Sequence, residues 1–442
     1  MYRKISIIIL LAILLASFLV GRHFYLARSF EPGIVDRIPD GDVLIRTNLL
    51  ELAHETTGMF HFNKVEYRDF LSKEFLLGQA KSYGLDLQAS VYGFANEDGS
   101  WGFLIHVTDS SEIGAGIGRV KQLIDVTEGD LGGQRIYSWT KEKSYLTYGK
   151  NWLFVYRGDK FPKILRRVLD AKKGDQSESW IAFLEEKHFA EKNLVLYSTA
   201  QSLKEYGIEK AMFAHNVDSV SVTLLSYIKS NEPFNISPKE DGLALPVSPT
   251  SNQYLNLHVD AKSFGSNKED PIHRYMQKMS RKISFPMDDF LVAWKGDLSF
   301  REGGEQIVKE TFIESVMDDN FEVTEVVSTR ETKVKGFSLA LSMNDKANYL
   351  INKLLSNGIL TKEKEKYRFL ISPPLSMKKV NDYYIFYSGD RQPQLIPNQE
   401  NSGYLSYKRT PFTFKVDTIK KNEIYGKIDF PVQRLLRPSK FF

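Results

Sequence analysis

Ile5–Gly21, ISIIILLAILLASFLVG, is an unbroken apolar run whose only polar members are Ser6 and Ser17. As a helix rising about 1.5 Å per residue it spans roughly 26 Å, close to the thickness of a bilayer core. A buried helix of a soluble protein shows a polar face to water, and this segment has none. The run therefore predicts one transmembrane helix, with residues 1–30 as an N-terminal membrane anchor and its flank. Arg3 and Lys4 precede the run, and Arg22, His23 and Arg28 follow it. Together with the amino group, the basic front end favours an inside N-terminus and a periplasmic body. An uncleaved signal anchor in the inner membrane is the preferred reading, because Ala16-Ser17-Phe18 and Leu19-Val20-Gly21 are poor cleavage sites. Cleavage, leaving a soluble periplasmic chain, is the alternative.

A chain of 442 residues points to two or three domains. With 42% hydrophobic and 13% aromatic residues it is not disordered throughout. Lys and Arg number 59 against 55 Asp and Glu, with the signs interspersed, so no nucleic-acid footprint exists. The absence of Cys excludes disulfides, thiolate metal sites, Cys nucleophiles and a lipid-modified Cys anchor.

Past Pro39 the pattern alternates between short strands and helices. Asp42–Thr47 reads as a strand, with Asn48 capping a helix over Leu49–Glu55, and a second helix falls within Val65–Tyr83. Ser90–Ala95 and Trp101–Val107 flank Asn96-Glu97-Asp98-Gly99-Ser100, a hairpin signal. Asp109 opens a capping box before the stripe Ile113, Ile117, Val120 and Ile124. Strands follow at Arg135–Thr140, Ser144–Tyr148, Trp152–Tyr156, Val195–Thr199 and Ser219–Tyr227. Helices follow at Phe161–Ala171 and Glu178–Lys187.

Pro233, Pro238, Pro246 and Pro249 make 231–252 a linker. It separates a first α+β module, 38–230, from a second, 253–432, with a basic tail at 433–442. The second module repeats pieces of the first in the same order. Val43–Asn48 matches Leu255–Asp260, Phe103–Val107 matches Phe337–Leu341, and Trp152–Asp159 matches Tyr383–Asp390. Asp297–Thr329 adds long strands, with turns expected at Glu302-Gly303-Gly304 and Asp318-Asp319-Asn320. Closing strands are expected at Tyr404–Tyr407, Phe412–Val416 and Ile424–Phe430. Hairpin connections imply mainly antiparallel sheets with helices on one face, an α+β class.

The chemical motifs are weak. Gly114, Gly116 and Gly118 follow a strand and open a helix, but Arg119 stands where a dinucleotide fingerprint needs its last glycine. Close helix packing explains them better. His54-Glu55 begins like a zincin helix, yet Gly58 takes the place of the second histidine and His61 comes seven residues on. His106 and His258 fall within strands, where hydrogen-bonded packing is the default. The pairs Glu185-Glu186, Asp288-Asp289 and Asp318-Asp319 put neighbouring carboxylates on different faces. No catalytic residue, cofactor site or metal site is assigned. Tyr92, Trp101, Trp139, Tyr148, Trp152, Tyr156, Trp294, Tyr383, Tyr384 and Tyr387 suggest two uses, half-buried sheet surface or an exposed partner-binding strip.

Ile38-Pro39-Asp40-Gly41-Asp42-Val43 running into Thr47-Asn48-Leu49 resembles a family of bacterial cell-envelope proteins of unknown function. So does Gly84-Leu85-Asp86 ahead of Val91-Tyr92-Gly93-Phe94. The resemblance implies export and a duplicated α+β region. It brings no catalytic residues, and this chain lacks the Cys of the lipoprotein members. The combined expectation is a membrane-anchored envelope protein with a non-catalytic binding or scaffolding role, its partners the bilayer (through Ile5 to Gly21) and an envelope protein. The alternatives are a periplasmic hydrolase with a site assembled only in three dimensions, and a carrier of an apolar ligand.

Overall fold

The computed structural model describes residues 32–60, 73–121, 125–139, 142–217, 221–236, 239, 241–247, 251–268, 271–317, 323–370, 372–407 and 410–431. The apolar run Ile5–Gly21, His61, the Asp318-Asp319-Asn320 turn and the tail 433–442 lie outside them. Among the described residues no helix is long and apolar enough to cross a membrane. The chain divides into two compact units, Met1–Ala200 with Met212–His215, and Gln201–Ala211 with Asn216–Phe442. Both are strand-rich mixtures of antiparallel sheet and helix, as an α+β class requires.

The first unit contains β1 (Val43–Thr47), β2 (Val91–Ala95), β3 (Trp101–His106), β4 (Thr127–Leu131), β5 (Gln134–Trp139), β6 (Ser144–Tyr148), β7 (Trp152–Arg157) and β8 (Leu194–Ser198). Its helices are α1 (Ile34–Arg37), α2 (Leu49–Phe60), α3 (Lys73–Ser82), α4 (Ser110–Val120), α5 (Phe161–Leu169) and α6 (Glu178–Glu185). The strands pair antiparallel in the order β8-β1-β2-β3-β7-β6-β5-β4. Local sequence sets the joints. Asn48 Oδ1 accepts from Glu51 N (3.1 Å) to start α2, and Asp109 Oδ1 accepts from Ser111 N (2.9 Å) to start α4. Gly99, at φ +83°, closes the β2–β3 hairpin. Leu44 stands level with Phe94 on one side and Tyr197 on the other, so one inward row builds the core. Trp180 of α6 lies edge-on to Tyr92, fully buried, and its Nε1 donates to Pro39 O at 3.0 Å. β4, TEGDL, escapes the sequence pattern because it is a polar strand without an apolar face.

The second unit holds α7 (Gln201–Lys204), β10 (Ser221–Ser230), β11 (Leu243–Ala244), β12 (Gln253–His258), α8 (Ala261–Ser266), α9 (Pro271–Lys282), α10 (Met287–Ala293), β13 (Trp294–Met317), β14 (Val323–Met343), α11 (Ala347–Ser356), β15 (Leu360–Glu363), β16 (Lys366–Phe369), β17 (Ser376–Val380), β18 (Tyr383–Tyr387), β19 (Ile396–Pro397), β20 (Ser402–Tyr407), β21 (Thr410–Lys420) and β22 (Glu423–Pro431). β9 (Ile208–Val217) spans the division between units. The sheet runs β17-β18-β14-β13-β12-β20-β21-β22-β10, antiparallel throughout. Ala347, Leu350, Ile351 and Leu354 form the apolar stripe of α11 and pack with Leu341, Tyr384 and Phe386. Within the proline-bearing stretch, β11 pairs with β19, and Ala244 and Leu245 are fully buried.

Two expectations need correction. Glu302-Gly303-Gly304 is no turn: β13 continues through it. The register with β14 passes from Glu302↔Phe337 to Glu305↔Lys335, one extra residue on β13, which is a bulge. Gly303 (φ +117°) and Gly304 (φ +76°) supply the backbone angles, and a Cβ on Gly303 would lie 2.4 Å from Asn252 N. The exposed aromatic strip is also absent. Trp152, Tyr156, Trp294, Tyr383, Tyr384 and Tyr387 are buried, and Tyr92, Trp101, Trp139 and Tyr148 are half-buried. These rings line sheet interiors, where their large apolar area contributes most.

Candidate functional site

Gly114 and Gly116 of α4 pack against neighbours. A Cβ on Gly116 would stand 2.6 Å from Tyr83 Cδ1, and one on Gly114 would stand 3.0 Å from Tyr148 Oη. The Arg119 guanidinium lies over the Tyr83 ring, 4.8 Å from its centroid. His54 is exposed on α2. Half-buried His106 has its pKa lowered by burial, a shift that Asp86 partly opposes. Among the described residues no three His, Asp or Glu side chains converge as metal ligands would.

One pair does have the geometry of a catalytic dyad. His258 Nδ1 lies 2.9 Å from Asp297 Oδ1, bringing the end of β12 against the start of β13. Asp297 Oδ2 accepts from Tyr383 Oη (2.8 Å) and Lys239 Nζ (2.6 Å), and Asp297 N donates to Ser342 Oγ (2.9 Å). Burial pushes the Asp297 carboxyl up, but bonds from His258, Lys239 and Tyr383 outweigh it and hold it well below the usual carboxylate range. Tyr383 goes the other way: burial, then its bond to Asp297, raises its hydroxyl far above the ordinary value.

Chemistry there is blocked. His258 is 1% exposed and Asp297 2%. The second ring nitrogen, Nε2, lies 2.9 Å from the Asn398 carbonyl, so the imidazole has no free edge. Gly242 covers it so closely that a Cβ would sit 2.6 Å from His258 Cε1. His258 N also donates to Asn401 Oδ1 at 2.6 Å. The cluster ties β12, β13, β18 and the segments around 239–243 and 398–401 into one piece. It is a lock, and its partners lie 39 to 143 residues apart in sequence. The alternation in Tyr254-x-Asn256-x-His258 is the one visible signal, since it sets two polar side chains on a single face of an apolar strand.

The accessible feature is the far part of the β13–β14 hairpin. From Glu305↔Lys335 to Met317↔Val323 the two strands pair only with each other among the described strands. Opposed residues share a face. One face carries Ile313 opposite Val327 (66% and 67% exposed) and Met317 opposite Val323 (59% and 62%). The other carries Phe312, Val316 and Val326, also exposed. At about 3.3 Å per residue this arm is roughly 40 Å long. Exposed aliphatics at this density are uncommon on a protein surface. Near the arm's base, a groove is lined by Val308, Thr311, Phe312, Val334, Lys364 and Lys366.

No family model matches the chain and no curated protein matches it. Among solved structures it is similar to TP0453. Crystal form IV aligns at TM-score 0.31 and 10% identity over 46% of this chain and 82% of that one. Crystal form III aligns at TM-score 0.31 and 10% identity over 48% and 90%. Likeness at that level carries no argument.

Proposed function

We propose that the chain is a membrane-anchored envelope protein with a non-catalytic binding or scaffolding role in the periplasm, and that the β13–β14 arm is its binding element. The observation behind this reading is the contrast between a sealed dyad and an arm whose aliphatic side chains stand in solvent. A hydrolase needs its base open to substrate, and His258 is covered. Anchoring rests on Ile5–Gly21, as does the bilayer as partner. A second surface favours that partner: α9 carries Arg274, Lys278, Arg281 and Lys282 beside exposed Met276 and Met279, with no acidic residue.

The two units are copies of one α+β module in this reading. Supporting it, β8-β1-β2-β3-β7-β6 of the first unit and β20-β12-β13-β14-β18-β17 of the second follow one order. Each of the three sequence matches also falls on corresponding strands of that order. The second copy then differs by extension of the β2–β3 equivalent into the arm. The resemblance to cell-envelope proteins, carried by Ile38–Val43 with Thr47–Leu49 and by Gly84–Asp86 with Val91–Phe94, supports the reading and carries no mechanism with it.

Location is tested by fusing a reporter active only outside the cytoplasm to the C-terminus and by extracting membranes with alkaline carbonate. An active reporter in the carbonate-resistant pellet is expected. An intact fusion whose reporter is inactive overturns the reading.

A further inference from the structure

The partner the arm fits is a second copy of this chain. We propose that two arms join along the outer edges of β14, antiparallel and related by a two-fold axis, into one four-stranded sheet. This rests on the arm being the binding element and adds what it binds.

Thirteen residues, Val323–Lys335, lie along an edge with which no described strand pairs; β18 takes only Ser338–Ser342 of the same strand. An edge so long, rich in Val and Thr, is a template for another strand. At its base Ser388 Oγ already donates to Lys335 O at 3.1 Å, so the pairing is centred above it, on Glu325–Lys333. On the opposite edge the body of the protein reaches further up the arm, where Lys309 N on β13 donates to Asp390 Oδ2 at 3.1 Å. That asymmetry selects β14.

Charge then selects the register. With the axis at Thr329, Glu325 of each copy faces Lys333 of the other, Thr329 faces itself and no like charges are opposed. Moving the axis to Ser328 sets Glu325 against Glu331, and moving it to Arg330 sets that arginine against its own copy. Lys333 already reaches Glu305 across its own hairpin at 2.9 Å, and its ammonium keeps further donors for Glu325. Registers of this parity also leave Ile313, Met317, Val323 and Val327 of both copies on one side of the joined sheet. The pairing is self-complementary and closed, so it ends at a dimer rather than a fibre.

The chain has no Cys, so one introduced thiol reports one contact. In the full chain, kept in its native membrane, T329C treated with a mild oxidant should give a band at twice 50.8 kDa on a non-reducing gel. S328C, displaced from its own copy and on the other face, should give little. E325K should abolish the T329C band, and E325K with K333E should restore it. Retained thermal melting of each variant separates lost pairing from lost folding. A T329C chain that stays monomeric, or a band insensitive to the charge exchange, overturns the proposal. Arm-dependent capture of another protein or of lipid without a self-linked band overturns the copy as partner but leaves the binding role standing. No arm-dependent capture at all sinks both.

Discussion

His258 Nδ1 meets Asp297 Oδ1 at 2.9 Å, and neither side chain reaches solvent. The pair has the spacing of an acid–base dyad and the surroundings of a structural bond. Because three donors converge on Asp297, its folded-state pKa lies below that of the unfolded chain despite burial. Stability from such a group is full above the unfolded value, near 3.9, and is lost as pH falls from there toward the folded value. Urea midpoints measured between neutral and strongly acid pH should drop steeply below about pH 4 in the native chain. In D297N that acid limb should flatten, with a loss of about 3–5 kcal/mol at neutral pH. Parallel pH curves would contradict the assignment.

Tyr383 donates to Asp297 and accepts from Leu243 N at 3.3 Å, so its hydroxyl joins β18 to the buried β11 segment. Y383F keeps the ring and removes both bonds. It should cost about 1.5–3 kcal/mol in urea unfolding, the range for a bond to a charged group. A cost below about 0.5 kcal/mol would show that the lock does not depend on it.

Two glycines two residues apart on α4 have opposite surroundings. Gly118 has open space where a Cβ would go, whereas Gly116 faces Tyr83. G118A should stabilise by about 0.5–1 kcal/mol through helix propensity. G116A should lose that gain and about 1 kcal/mol or more besides, because Tyr83 must move. Equal effects in thermal melts would remove packing as the reason for the glycine run.

Ile313 and Val327 oppose each other in solvent, so I313T with V327T, which keeps β propensity and opposes no like charges, should leave unfolding free energy within about 0.5 kcal/mol of the native chain. Their effect belongs on association instead, as reduced dimer in the crosslinking assay. A large stability loss would mean that the two side chains pack against the body of the protein.

Local signals carried much of this fold. Asn48, Asp109 and Gly99 act at the joints where caps and turns were expected, because each works through neighbours within a few residues. The polar strand β4 had no periodicity to betray it. Gly303-Gly304 looks the same in sequence whether it reverses a strand or bulges it, and the long-range pairing with β14 decides. The lock was invisible for the same cause, since Asp297, Tyr383 and Asn398 meet His258 only through the sheet order. Long strands were foreseen in Asp297–Thr329, but not that their outer part pairs with no third strand among those described.

The account centres on the arm as the working surface. Lys309 and Glu331 are opposed across the hairpin, above the bonds that Ser388 and Asp390 make with Gln306 and Lys309, so Glu310–Arg330 can be replaced by an Asn-Gly turn with those bonds kept. Tagged full-length and shortened chains would be recovered from mildly solubilised membranes, each beside a differently tagged native chain. The account predicts unchanged membrane extraction and melting, with co-recovery of the second chain lost on shortening. Undiminished co-recovery with the arm removed would contradict it.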